Sequence, residues 1–95
     1  MDTIKVKVEK CKNWAGNEYL IYSCEEFGKI AELDYPNDRS KRHRVYCLKD
    51  SYIDSYVPFS SMTQALVGAE TVVNGYLLDR GCYATYDYPR TIKMK

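Results

Sequence analysis

The sequence is short of the side chains on which most enzyme and metal chemistry depends. It holds one histidine, His43, so no histidine triad can form. None of its four cysteines (Cys11, Cys24, Cys47 and Cys82) falls into the C-x-x-C pair that makes half of a structural zinc site. Its five glycines form no phosphate-cradling loop, and there is no nucleophile elbow. Cys47 follows His43 by four positions, which on an extended strand is about 13 Å, too far for a thiol–imidazole pair. Glu25 and Glu26 are adjacent and point apart on a strand. Catalysis, a bound cofactor and a metal site are therefore not expected.

Charge of one sign is also lacking. Lys and Arg number 14 against 13 Asp and Glu, a formal net charge of +1. Dedicated duplex-DNA binders are usually far more basic, since their affinity comes largely from neutralising phosphates. No run approaches the roughly 18 apolar residues that a membrane span needs. The start, Met-Asp-Thr-Ile-Lys-Val-Lys-Val, alternates charge with apolar residues and lacks the apolar core of a signal peptide. An intracellular, reducing location is expected, with the cysteines as small buried apolar residues.

What is present is ordinary globular composition, 45% hydrophobic and 28% charged, in a chain whose 95 residues fit one domain, 1–95. Ile4, Val6 and Val8 alternate with Lys5, Lys7 and Glu9, which predicts a strand over 3–12 with one apolar face. Asn13-Trp14-Ala15-Gly16-Asn17 signals a turn into a second strand at 18–24. A third strand is expected at about 29–35, ended by Pro36 and the polar residues after it, and a fourth at about 44–49. Between Ser51 and Phe59 a short extended piece can form, with Pro58 at an edge or end.

The strongest local pattern is a helix over 61–78. Met62, Ala65, Leu66, Ala69, Val72, Val73, Tyr76 and Leu77 keep the rhythm of one helical face. Ser61 with Gln64 three residues on reads as a capping box, and Gly81 as a left-handed terminator, with Asn74-Gly75 as an alternative, earlier stop. Cys82 to Tyr88 has strand composition until Pro89. The expected fold is α+β, in the order β-β-β-β-α-β: an antiparallel sheet of four to five strands with one helix across one face.

Three groups of residues are candidates for contact with a partner. Arg39, Lys41, Arg42, His43 and Arg44 form a basic cluster in the loop before the fourth strand, suited to phosphates or an acidic protein surface. A charge run of this length also serves as a plain solvated turn. Tyrosine is the outlier in composition, with 10 residues. Tyr83, Tyr86 and Tyr88, with Tyr52 and Tyr56, supply rigid area plus a hydroxyl, which interfaces favour, although tyrosine also favours sheets. On the helix, the side away from the stripe carries Thr63, Val67, Gly68, Glu70, Thr71, Asn74 and Leu78, with one charge among them. Either the 51–59 segment and the last strand cover this side, or Val67, Thr71 and Leu78 are an interface, for a partner or a second copy.

The bare one-domain chain, its hairpin-rich front and the segment Tyr56-Val-Pro-Phe-Ser-Ser-Met-Thr-Gln-Ala-Leu feeding one helix resemble the small proteins with which phages and mobile elements block host defence, anti-CRISPR proteins among them. The three-strands-then-helix order is also similar to small sheet-type DNA-binding domains of the AP2 kind. The first resemblance implies a non-enzymatic inhibitor in the host-cell cytoplasm that occludes a host protein or protein–nucleic acid complex. The second implies a nucleic-acid-binding module using the basic loop 39–44.

Overall fold

The computed structural model describes residues 2–35, 43–49 and 57–90. Its strands are β1 (Asp2–Lys12), β2 (Glu18–Cys24), β3 (Gly28–Tyr35), β4 (His43–Cys47), β5 (Val57–Phe59) and β6 (Cys82–Asp87), with one helix, α1 (Met62–Leu78), between β5 and β6. They form one sheet in the order β5-β4-β3-β2-β1-β6. The α+β architecture and the single helix are those the residue pattern predicts. The sheet has six strands rather than four or five, because Val57–Phe59 joins it as a short edge strand containing Pro58. Neighbours are antiparallel except β1 and β6, which run parallel, so the sheet is mixed. The parallel pair follows from the connection: a helix carries the chain from one edge of the sheet to the other, the kind of crossover that parallel pairing requires.

Alternation along β1 puts Ile4, Val6 and Val8 in the core and leaves Lys5, Lys7 and Glu9 exposed. The register carries the apolar face across the ladder, pairing Val8 with Tyr22, Tyr22 with Ala31, and Leu33 with Val45. A bulge beside Tyr22 and Ser23 shifts the β2–β3 register, and Ile30 and Ala31 are both fully buried there. Cys24 and Cys82 are buried, Cys11 and Cys47 half-buried, and all four are free thiols.

The helix packs Ala65, Leu66, Ala69, Val73 and Leu77 into this core. It lies against β3, β4 and β5 on one side and β6 on the other, so the sheet curls around it. At its start the Ser61 hydroxyl accepts from the Gln64 amide at 3.2 Å, as the sequence predicts. The reciprocal half of the box is different, because the Gln64 side chain accepts from the Ser60 hydroxyl at 3.2 Å. No acid sits in the first turn and no base in the last, so packing rather than dipole compensation holds the helix. Gly81 ends the connection at φ +73, donating to the Leu78 carbonyl at 3.0 Å. Arg80 fixes the corner: its guanidinium lies 3.5 Å from the Tyr76 ring centroid and donates to the Tyr76 carbonyl at 2.8 Å.

The helix's outer side is covered in part and exposed in part. Phe59 of β5 lies over Gly68. Glu70 and Asn74 take hydrogen bonds from tyrosines of the last strand segment. Val67, Thr71 and Leu78 stay exposed.

The two helical glycines separate steric from conformational effects. A Cβ on Gly75 meets nothing, whereas one on Gly68 overlaps the Phe59 ring. Gly75→Ala should raise stability by about 0.5–1 kcal/mol through helix propensity. Gly68→Ala should lower it, since displacing a packed ring costs about 1–3 kcal/mol and exceeds that gain. Urea unfolding of both variants beside wild type checks the opposite signs.

Candidate functional site

Two of the three candidate tyrosines turn inward. Tyr86 of β6 and Tyr88 just past it share the parity of Cys82 and Ala84 and face the helix, whereas Tyr83 has the opposite parity and is exposed. The Tyr88 hydroxyl donates to Glu70 Oε2 at 2.7 Å, and its oxygen therefore accepts from the Tyr22 hydroxyl at 2.9 Å. The Tyr86 hydroxyl is shared between Asn74 Oδ1 at 2.6 Å and the Glu70 carbonyl at 3.1 Å. The Tyr22 ring packs edge-on to Tyr86 and Tyr88, with centroids 6.1 and 5.9 Å apart. Burial pushes all three phenols above their ordinary value of 10.0. These groups are protonated donors and form a latch between β6 and α1.

The opposite face of the sheet carries an acidic pair. Glu32 and Asp34 flank the core residue Leu33 on β3 and so point away from the helix. Their ladder neighbours are Ile21 and Tyr46 for Glu32, and Tyr19 and Arg44 for Asp34. Partial burial, reinforced by a hydrogen bond with Asp34 and by its charge, pushes the Glu32 carboxyl up to about 7, while Lys29 works against the shift. At the end of β3, burial and the Glu18 carboxylate push the Tyr35 phenol up to about 12. The Tyr35 hydroxyl is buried without a hydrogen-bond partner among the described residues.

Among the described residues, large apolar side chains are exposed in three places. A groove of about 700 Å³ lies between α1 and the β4–β5 edge, lined among others by Val45, Phe59, Val67 and Thr71. Val67 is 63% exposed there. A smaller cleft of about 210 Å³ brings Leu78 to Tyr83 beside β6. The third is the tip of the β1–β2 hairpin, where Trp14 is 99% exposed. That tip is closed by local hydrogen bonds. Asn13 Oδ1 accepts from the amides of Ala15 and Asn17, each at 3.0 Å. The Asn13 carbonyl takes the Gly16 amide at 3.0 Å, and Gly16 has a φ of +83 that other residues rarely adopt. Below the tip, Lys10 and Glu18 are joined at 2.8 Å.

The fold does not gather the sequence candidates into one site. Of the basic cluster, Arg39, Lys41 and Arg42 lie outside the described residues, as do Tyr52 and Tyr56. His43 and Arg44 belong to β4 rather than to the preceding loop. His43 is half-buried, and desolvation holds its imidazole below its ordinary 6.5. Arg44 pairs in register with Asp34, which sets an acid directly across the ladder from it. Val67 and Thr71 share the groove, while Leu78 stands apart from them in the cleft with Tyr83. No group of three His, Cys, Asp or Glu among the described residues is placed to hold a metal ion.

No family model, curated protein or solved structure matches the chain. The geometry alone therefore carries the functional argument. Trp14 is the residue that the sequence reading passed over, because Asn13 and Gly16 marked the segment only as a turn. The available signal was a large aromatic at the one place in a tight hairpin that the sheet cannot cover. No helix among the described residues is long and apolar enough to cross a membrane.

The latch and the acidic pair each lead to a measurable outcome. Tyr88→Phe leaves Glu70 and Tyr22 without their shared partner and should cost about 1–3 kcal/mol in urea unfolding, whereas Tyr83→Phe should stay within about 0.5 kcal/mol of wild type. Glu32 binds its proton more tightly folded than unfolded. Its contribution to stability is therefore complete below its ordinary 4.5 and is lost as pH rises through about 7. Wild type should lose stability between about pH 5 and about pH 8, and Glu32→Gln should flatten that slope. Unfolding midpoints across the range test it.

Proposed function

We propose that this protein is a non-enzymatic interaction protein, an inhibitor of the phage or mobile-element type that binds and occludes a host macromolecule in the host-cell cytoplasm. Its anchor is Trp14. The observation that carries this reading is the combination of near-complete exposure of Trp14 with a hairpin tip closed by four hydrogen bonds. An indole left in water contributes nothing to folding. Its burial against a partner removes about 150–250 Å² from solvent, worth about 4–6 kcal/mol on area bookkeeping. Holding the tip rigid lowers the ordering cost of binding, and tryptophan is prominent among the residues that dominate interface energies. Exposed Val67, Leu78 and Tyr83 add apolar contact elsewhere on the surface.

The alternative, a nucleic-acid-binding module working through 39–44, draws less support from the geometry. Arg44 faces Asp34 across the β3–β4 ladder, which offsets its charge toward phosphate. Tagged wild type and Trp14→Ala, passed over host lysate at rising salt, distinguish the two. Trp14→Ala should melt at the wild-type temperature, because the side chain packs on nothing, and should lose about tenfold or more of the captured protein. Capture of nucleic acid that falls steeply with salt and is indifferent to Trp14 would establish the alternative instead.

A further inference from the structure

The two edges of the sheet are built differently. β5 closes one side with three residues, and Pro58 among them has no amide proton to donate. Short length and proline both keep an edge from recruiting another strand. β6 closes the other side with six residues, Cys-Tyr-Ala-Thr-Tyr-Asp, which contain neither proline nor lysine. Its register with β1 runs unbroken from Cys82 to Asp87. Among the described residues it has a neighbouring strand on its β1 side only. Its far side there presents a row of backbone donors and acceptors, and the cleft holding Leu78 and Tyr83 opens beside that row. Those two side chains are 49% and 54% exposed.

We propose that β6 is where a second copy of this chain pairs, antiparallel, so that the sheet continues through a twofold axis. The strand's own sequence selects a copy of itself. Residues that meet across such a pair must point to the same face, and the side-chain period of two then places the axis on a residue rather than between residues. With Thr85 on the axis, it meets Thr85 of the second copy, a favourable cross-strand pair. Two residues to each side, Tyr83 meets Asp87 of the second copy, phenol against carboxylate. Ala84 meets Tyr86 on the inner face, small against large. No like charges stand opposite one another within the strand, and the two Asp87 carboxylates lie about 13 Å apart along it, beyond the screening length of about 8 Å at physiological salt. A strand docked in this way also covers Leu78 and Tyr83. The contact is at the low end of specific interfaces, below about 1,200 Å², so the dimer should come apart on dilution.

This inference does not depend on the role of Trp14, and its test leaves that residue untouched. Sedimentation velocity from low micromolar to near-millimolar protein should show wild type passing from one chain to two. Thr85→Lys sets two ammonium groups face to face on the axis and should weaken the dimer by about tenfold or more. Thr85→Cys should yield a covalent dimer on oxidation, because directly opposed antiparallel residues have Cα atoms about 4.5–5.5 Å apart, within disulfide range. Wild type, oxidised in parallel, controls for the four native thiols. Thr85 is exposed, so both variants should keep the wild-type circular dichroism spectrum. A chain monomeric at every concentration leaves the edge to an extended segment of a different protein and overturns self-pairing. A dimer that Thr85→Lys leaves intact, or that Thr85→Cys never locks, overturns it as well.

Discussion

Small residues at Ala65 and Ala69 let α1 settle close on the sheet, and the curl of the sheet around that helix determines most of what else the molecule can do. A helix in water gains most of its stability from packing, so this one buries a continuous stripe, here Ala65, Leu66, Ala69, Val73 and Leu77. Burying it from both flanks requires β3, β4 and β5 on one side and β6 on the other. β6 can reach that position only by crossing the whole sheet and joining β1 in parallel. The edge positions of β5 and β6 are thus consequences of covering one apolar stripe.

Polar groups brought inside by that arrangement have to be satisfied where they stand. Glu70 and Asn74 lie on the flank of α1 that β6 approaches, and the hydroxyls of Tyr86 and Tyr88 meet them there, with Tyr22 completing the chain. The same residues that give the last strand its sheet propensity therefore supply the donors that lock it to the helix. Buried donors with matched acceptors specify one docking of the two elements more tightly than apolar contact does. On the far face, Glu32 is half-buried, and that burial together with the neighbouring Asp34 carboxylate holds its proton on. Trp14 and Val67 remain in solvent, and the contacts proposed above draw on such exposed groups.

Much of this architecture was legible in the chain. Period-two alternation located β1, turn residues bounded β2 and β3, and period 3.6 with Ser61 located α1 to within a residue, because these signals are local. Parity alone also separates Tyr83 from Tyr86 and Tyr88, once one face of the last strand is known to be buried. The basic cluster was harder to read, since its last two members extend β4 instead of ending the loop. A helix side poor in charge signalled that something unusual lay there. It could not say that Phe59 would seat on Gly68 while Val67, one residue away, stayed in solvent.

The sequence by itself determined β1, β2, β3 and the start of α1, with the inward faces of β1 and α1, since each depends on neighbours a few residues away. Tertiary structure alone decided that β1 and β6 pair in parallel, that Tyr22, Tyr88 and Glu70 form one chain, and that Trp14 stands exposed at the hairpin tip. The reason is the same in each case. An alternating strand presents the same pattern whichever neighbour it takes, and a side chain carries no record of which distant group will cover it.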